Sequence, residues 1–324
     1  MKKILSIILI IAMAFTFMTG CGENEKIGTE KIKIVTTIYP QYDWIMNVLG
    51  DEAKNFDIEL LMADGVDLHS YQPSVEDIVK ISSCDLFIFV GGESDAWVKD
   101  ALAEAKNEDM IVLNMMDIVS EYVKEEEIIE GMQLESEELK DTESNDFAFD
   151  EHVWLSLRNA ERIVGVFGNA ISILDPDNDD VYRENTAEYI KQLNSLDKQF
   201  IDVTTNAKKN TIVVGDRFPF RYLVDDYAVK YFAAFSGCSA DSEASFETIA
   251  FLADKIDELE LNAIITTESD IFGIAKTVAD SAKRNVEILS MNSMQSVTLN
   301  DVQNGISYLS MMEDNLETLK KALN

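Results

Sequence analysis

The strongest constraint on the fold is an alternation of short β-branched runs with longer amphipathic stretches. Lys31 to Ile38 (KIKIVTTI) reads as a strand that stops at Tyr39-Pro40. Strand-like runs at 57–62, 85–90 and 110–113 then alternate with helical periodicity over about 41–50, 74–82 and 95–106. The same order returns later, with strands expected at 211–214, 229–235, 263–267 and 286–290 and helices at 218–227, 246–259, 271–283 and 299–323. Between these halves lie two long helical stretches, 154–174 and 179–207, separated by Asp175-Pro176-Asp177-Asn178, where proline and Asx residues stop one helix and cap the next. Such a pattern predicts an α/β fold of two βα lobes with mostly parallel sheets, the second long helix bridging them. Ligand loops are then expected at the carboxyl ends of the strands.

At the N-terminus, Lys2 and Lys3 precede an apolar run from Ile4 to Met18 that ends in Thr19-Gly20-Cys21. A run this short suits secretory export better than a membrane span, which needs about 20 apolar residues. Residues 1–20 therefore read as a signal peptide, Cys21 as a lipidation site and 21–30 as a lipid-anchored tether. The expected organisation continues as an N-terminal lobe over 31–178, a linking helix over 179–207 and a C-terminal lobe over 208–324. Localisation is expected to be extracytoplasmic, on the outer face of a bacterial membrane.

A formal net charge of −33 argues against nucleic acid or anionic lipid as partner, since both require a basic face. Besides Cys21 there are only Cys84 and Cys238, far apart and without a C-x-x-C spacing, so they read as two apolar thiols or one long-range bridge. From Glu121 to Glu151 the periodicity fails: 13 acidic residues face two lysines, and the segment reads as a mobile acidic loop.

The chain has two histidines, His69 in Asp67-Leu68-His69-Ser70-Tyr71 and His152 in Asp150-Glu151-His152-Val153-Trp154. Imidazole suits zinc and its neighbours, and such an ion takes about four donors at roughly 2.0–2.3 Å. Carboxylates or amides from the second lobe must complete the shell. The candidates at predicted strand ends are Asp216 after TIVVG and Glu268 after AIITT, with Asn292 after EILSM third. No Gly-rich phosphate loop, Gly-x-Ser-x-Gly turn or H-E-x-x-H helix is present, so enzyme chemistry has no motif to stand on. Gly91-Gly92 reads as a tight turn.

Several segments together resemble the zinc- and manganese-type substrate-binding lipoproteins of ABC importers. They are Val35-Thr36-Thr37-Ile38-Tyr39-Pro40, Ala63-Asp64-Gly65, the His69 segment with Tyr71-Gln72-Pro73-Ser74, Phe89 to Val98, and Asp150 to Ser156. Gly215-Asp216-Arg217-Phe218-Pro219-Phe220-Arg221-Tyr222 and Phe235-Ser236-Gly237-Cys238 resemble one zinc-type branch. The resemblance implies two βα lobes joined by a rigid helix, with a metal in the cleft held by His69 and His152 from the N-terminal lobe and by further donors from the C-terminal lobe. Many relatives place a histidine or glutamate at the position aligned with Gly215, and relatives with the Arg-Phe-Pro-Phe segment often carry a histidine near Asn292 or Gln295. This chain has neither.

The expected function is capture of a divalent transition-metal ion, zinc before manganese or iron, and its delivery to an ABC importer permease by a monomeric lipoprotein that is not an enzyme. The alternatives are a same-fold lipoprotein whose site binds another or a chelated metal, and a surface adhesin or scaffold. Histidine must be neutral to bind metal, so affinity is expected to fall as pH drops through about 6.5.

Overall fold

A computed structural model describes residues 31–133, 149–238, 243–268 and 273–324. The signal peptide at 1–20, the tether at 21–30 with Cys21, and the 134–148 part of the acidic loop lie outside the described residues. From Ile32 onward the chain forms a single unit. Its first sheet holds β1 (Ile32–Thr36), β2 (Phe56–Leu60), β3 (Leu86–Phe89) and β4 (Ile111–Asn114) in the order β2-β1-β3-β4. Its second holds β5 (Thr211–Arg217), β6 (Lys230–Phe235), β7 (Ala263–Thr267) and β8 (Glu287–Met291) in the equivalent order β6-β5-β7-β8. Every pairing is parallel. Central strands covered on both faces need continuous apolar runs, and all residues of β3 (LFIF) and β7 (AIITT) are buried. In both sheets the chain turns from one side to the other next to the first strand. That switch opens a crevice at the carboxyl ends, where all the residues of interest lie.

The covering helices are α1 (Tyr39–Leu49), α2 (Val75–Ser82) and α3 (Val98–Ala103) in the first lobe, and α6 (Arg221–Asp226), α7 (Phe246–Glu258), α8 (Ile274–Ser281) and α9 (Tyr308–Ala322) in the second. Between the lobes run α4 (Leu157–Leu174) and α5 (Asp179–Thr205), divided at Asp175-Pro176 as the sequence predicts. The Asp175 carboxylate fixes the break by accepting from Asn178 Nδ2 at 2.8 Å and from Tyr182 OH at 2.5 Å. Helix α5 is a true bridge. Asn185 Nδ2 donates to Val48 O in α1 and Tyr189 OH to Asp43, whereas Phe200 stacks on Tyr227 beside α6 with centroids 4.8 Å apart.

A continuous apolar cluster joins the lobes, running from Ile34 and Trp44 through Trp154 and Phe167 to Tyr222, Tyr308 and Leu323. Trp44 in α1 meets Tyr308 in α9 edge-on at 5.0 Å, and both are fully buried. Such an aromatic pair adds about 0.5–1.5 kcal/mol beyond the area it removes from water. Swinging the lobes far apart would expose side chains worth about 1.5–3 kcal/mol each, so the structure favours small relative movements.

Two expectations are corrected. The final helix expected over 299–323 is two helices, Leu299–Gln303 and α9: Gly305, at φ +88°, turns the chain, and Ser307 caps the restart by accepting from Ser310 N. The described part of the acidic segment is not a free loop. Lys124 N donates to Tyr222 OH, Arg221 pairs with Glu127 at 2.8 Å, and Gln133 N donates to Ala234 O at 2.9 Å, so residues 123–133 lie along the second lobe. Val123, Ile129 and Met132, interleaved with the acids, pack against the core and supply the apolar anchor that the charge count obscured.

Candidate metal centre

His69 sits in a short 3-10 turn, Leu68–Ser70, after β2, and Asp67 starts that turn by accepting from His69 N at 2.9 Å. After β3, Gly91 and Gly92 turn the chain at φ +98° and +81°. The backbone N–H groups of Val90 and Gly91 donate to the buried Asp95 carboxylate, which shapes the loop that carries Ser94. Ser94 Oγ lies 2.8 Å from His69 Nδ1, and Ser94 N donates to Glu151 Oε1 at 2.9 Å. Gly92 makes room for this carboxylate: a Cβ there would lie 2.4 Å from Glu151 Oε1. Glu151 Oε2 is buried without a hydrogen-bond partner, 3.7 Å from His69 Nδ1.

His152 is fully buried. Asp150 Oδ1 accepts from its backbone N–H at 2.8 Å and faces its Nδ1 at 3.0 Å. The segment is fastened to the second lobe: Tyr222 OH donates to Asp150 O at 2.7 Å, Trp154 Nε1 to Ser293 O at 2.9 Å, and Tyr308 OH to Trp154 O at 2.7 Å.

The two Nε2 atoms stand 3.3 Å apart. Each Nδ1 lies beside an oxygen able to accept its proton, and in that tautomer both Nε2 lone pairs face the same point, as when outer hydrogen-bond partners orient metal-binding imidazoles. A tetrahedral ion with bonds of about 2.0–2.1 Å separates two nitrogens by about 3.3–3.4 Å, so the spacing fits one shared ion. Burial, reinforced by the neighbouring His152, pushes His69 down to about 4, well under the 6.5 expected from an ordinary imidazole. In the metal-free chain this ring therefore stays neutral to a lower pH than the sequence suggests. Burial raises Glu151 and pushes Asp95 up to about 6.

The structure brings His69 and His152 together but does not bring Asp216 or Glu268 to them. Asp216 Oδ2 accepts from Thr267 Oγ1 at 2.5 Å and Thr267 N at 3.2 Å, and Glu268 accepts from Ser293 N, Ser293 Oγ and Ser296 Oγ at 2.8–3.2 Å. Both carboxylates tie neighbouring strand ends together. Asn292 Oδ1 is likewise occupied by Met294 N at 2.7 Å. At Gly215 a Cβ would come within 2.5 Å of Ala275 Cα, so α8 leaves no space there for a larger donor.

Taking histidine, cysteine, aspartate and glutamate among the described residues, the one grouped with the two imidazoles is Cys238, whose Sγ and the two histidines' ring nitrogens lie within 4.8 Å of one another. It follows β6, and Gly237 allows the approach: a Cβ there would sit 3.1 Å from His152 Cε1. Cys84 is buried elsewhere, its Sγ beside Met110, and both thiols are free. From the loop after β8, Gln295 Nε2 comes within 3.4 Å of His152 Nε2, while Gln295 Oε1 is buried without a partner. Both residues obey the strand-end rule that selected Asp216 and Glu268. What the sequence lacks is any sign of which strand ends converge on His152.

Comparison with known proteins gives a consistent result. The family model described as "Zinc-uptake complex component A periplasmic" matches residues 34–322. The zinc-binding lipoprotein AdcA of Streptococcus pneumoniae is 31% identical over 324 residues, covering 99% of this chain but 61% of AdcA, so the chain spans about three fifths of that relative. The high-affinity zinc uptake system protein ZnuA of Bacillus subtilis is 29% identical over 98% of this chain and 97% of its own length. Among solved structures, the Zn(II)-bound ZnuA-like domain of S. pneumoniae AdcA superposes with a TM-score of 0.69 at 29% identity, covering 90% of this chain and 99% of that one. The metal-dependent lipoprotein YcdH of B. subtilis gives 0.71 at 26% identity, covering 91% and 100%.

Proposed function

Because the chain belongs to the zinc-uptake complex component A family, we propose that it captures a divalent transition-metal ion, zinc, outside the cytoplasm and delivers it to the permease of an ABC importer. The observation that carries this reading is the facing pair of Nε2 atoms, 3.3 Å apart and each backed at Nδ1 by Asp150 or by Ser94 with Glu151. His69 and His152 are two of the ion's protein ligands. Family membership supports a metal-binding transport component. We read Cys21 as the lipidated N-terminus left after removal of residues 1–20, which anchors a monomeric chain to the outer face of a bacterial membrane.

In this mechanism the ion is cargo. It enters between the lobes and meets two imidazoles already turned toward one point, so little ordering entropy is lost, because Ser94 and Asp150 hold the two rings in place. Asp216 and Glu268 act indirectly, by holding β5, β7 and the loop after β8 in register. The test is calorimetric titration of the metal-stripped chain with zinc and with manganese, beside a His69→Ala/His152→Ala variant. Tight 1:1 zinc binding that vanishes in the variant is the expected result, and absence of zinc binding by the unaltered chain would overturn the reading.

A further inference from the structure

We propose that Cys238 supplies a thiolate to the same ion, making the centre a mixed nitrogen–sulfur site for a borderline-soft divalent metal instead of a nitrogen–carboxylate site. This rests on the reading of His69 and His152 as ligands. Four observations converge on it. The sulfur shares with both imidazoles a sphere in which all donor atoms lie within 4.8 Å of one another, and no aspartate or glutamate joins that group among the described residues. Gly237, where a Cβ would crowd His152, lets the strand end bring the thiol in. Glu126 Oε1 accepts from Cys238 N at 3.1 Å and fixes the backbone at that position, through the same strap that lies along the second lobe. The carboxylate candidates of the second lobe are committed to strand-end hydrogen bonds, which leaves the thiol as that lobe's available anionic donor.

An ordinary packing role fits less well. A thiol that merely fills space sits among apolar groups, as Cys84 does in a cluster with Ile81, Phe87 and Val98. Cys238 instead faces two imidazoles, with Glu126 on its own backbone N–H and Asp150 against the His152 ring. That surrounding favours a cation. A tetrahedral shell with a metal–sulfur bond of about 2.3 Å calls for nitrogen–sulfur separations of about 3.6 Å, so a displacement of roughly an ångström completes it. On binding, the metal–sulfur bond forms as the S–H bond breaks, and the thiol proton leaves to solvent. Gln295 faces His152 Nε2 with its amide Nε2, and a turn of that amide would offer its buried, unpartnered Oε1 as a neutral oxygen for the remaining position. Thiolate ligation favours zinc over manganese, which prefers carboxylate and carbonyl oxygen.

The test uses cobalt(II) as a spectroscopic probe and zinc as the ligand. In the full chain carrying Cys21→Ala and Cys84→Ala, Cys238 is the one remaining thiol. Cobalt is expected to give a sulfur-to-metal charge-transfer band in the near ultraviolet. Adding Cys238→Ser should abolish the band and weaken zinc binding about 100-fold, the upper end of what losing a supporting group around a metal costs. Cobalt bound through the histidines without that band, together with unchanged zinc affinity in the serine variant, would overturn the thiolate while leaving the importer reading intact. No binding of either metal by the unaltered chain would overturn both. Should the double alanine background fail to fold, alkylation of the unaltered chain read by mass spectrometry decides: zinc is expected to protect Cys238, and equal labelling with and without zinc refutes the proposal.

Discussion

Arg217 Nη2 donates to Asp67 Oδ2 at 2.9 Å, joining the end of β5 to the loop that carries His69 across 150 positions of sequence. Burial alone would raise the Asp67 carboxyl, but the guanidinium, with help from His69, holds it below the usual range. The pair is about one quarter exposed, so its contribution to stability is at most about 1 kcal/mol. Its position gives it more influence on the bound state. Arg217→Met should leave the fold intact and raise the zinc dissociation rate by up to about fivefold, the equivalent of 1 kcal/mol, as read by stopped-flow chelator competition. An unchanged rate would mean that the latch does not bear on the site.

Asp150 holds His152 by both its backbone and its ring. Asp150→Asn keeps the size and one acceptor but removes the charge that makes the imidazole a better donor. Zinc affinity should fall about 10–100-fold while circular dichroism stays the same. A decrease smaller than twofold would show that the carboxylate only packs.

His69 gives the metal-free chain a pH dependence of definite sign. Its imidazole is held at about 4 in the fold against 6.5 when free, so between those values the unfolded chain binds more protons. The stability this contributes is complete above pH 6.5 and is lost as pH falls toward 4, amounting to about 3 kcal/mol. Asp95, pushed up to about 6, acts in the opposite direction. The measurement is therefore a difference: urea titrations of the metal-free chain and of His69→Gln at several pH values, with the gap between them expected to shrink on acidification. A constant gap would refute the assignment.

Gly92→Ala should destabilise by about 1–3 kcal/mol, because the backbone at φ +81° disfavours a Cβ and the added carbon would strike Glu151. Thermal unfolding checks this. The same change should weaken zinc binding, since Glu151 backs His69; Gly305→Ala, with open space around the added carbon, should share only the backbone cost.

How much of this was legible in the sequence depends on whether the determinant is local. The strand at 263–267 and the break at Asp175-Pro176 follow from β-branched runs and a proline, which act within a few residues. The interruption between Leu299–Gln303 and α9 escaped because amphipathic periodicity continues through Asn304-Gly305, and periodicity alone does not register a left-handed turn. His69 and His152 stood out as the chain's two histidines, placed in loops. Asp216 and Glu268 are at strand ends as expected, yet only the packed fold shows their oxygens turned to Thr267 and Ser293, and Cys238 and Gln295 turned to His152.

His69 is held in the first lobe through Asp67 and Ser94, with Arg217 as one tie across to the second, whereas His152, although encoded in the first half of the chain, is fastened mainly to the second through Tyr222, Ser293 and Tyr308. The imidazoles thus work as the two jaws of a caliper set by the gap between the sheets. Two metal–nitrogen bonds of about 2.0–2.1 Å span no more than about 4.2 Å even in line, so widening the 3.3 Å gap by about an ångström leaves no ion able to touch both. The apolar cluster shared by the lobes disfavours wide opening, so a parting of this size is the scale on which the shared coordination is set. On the proposed reading, about an ångström of play between the lobes is enough to break the shared coordination.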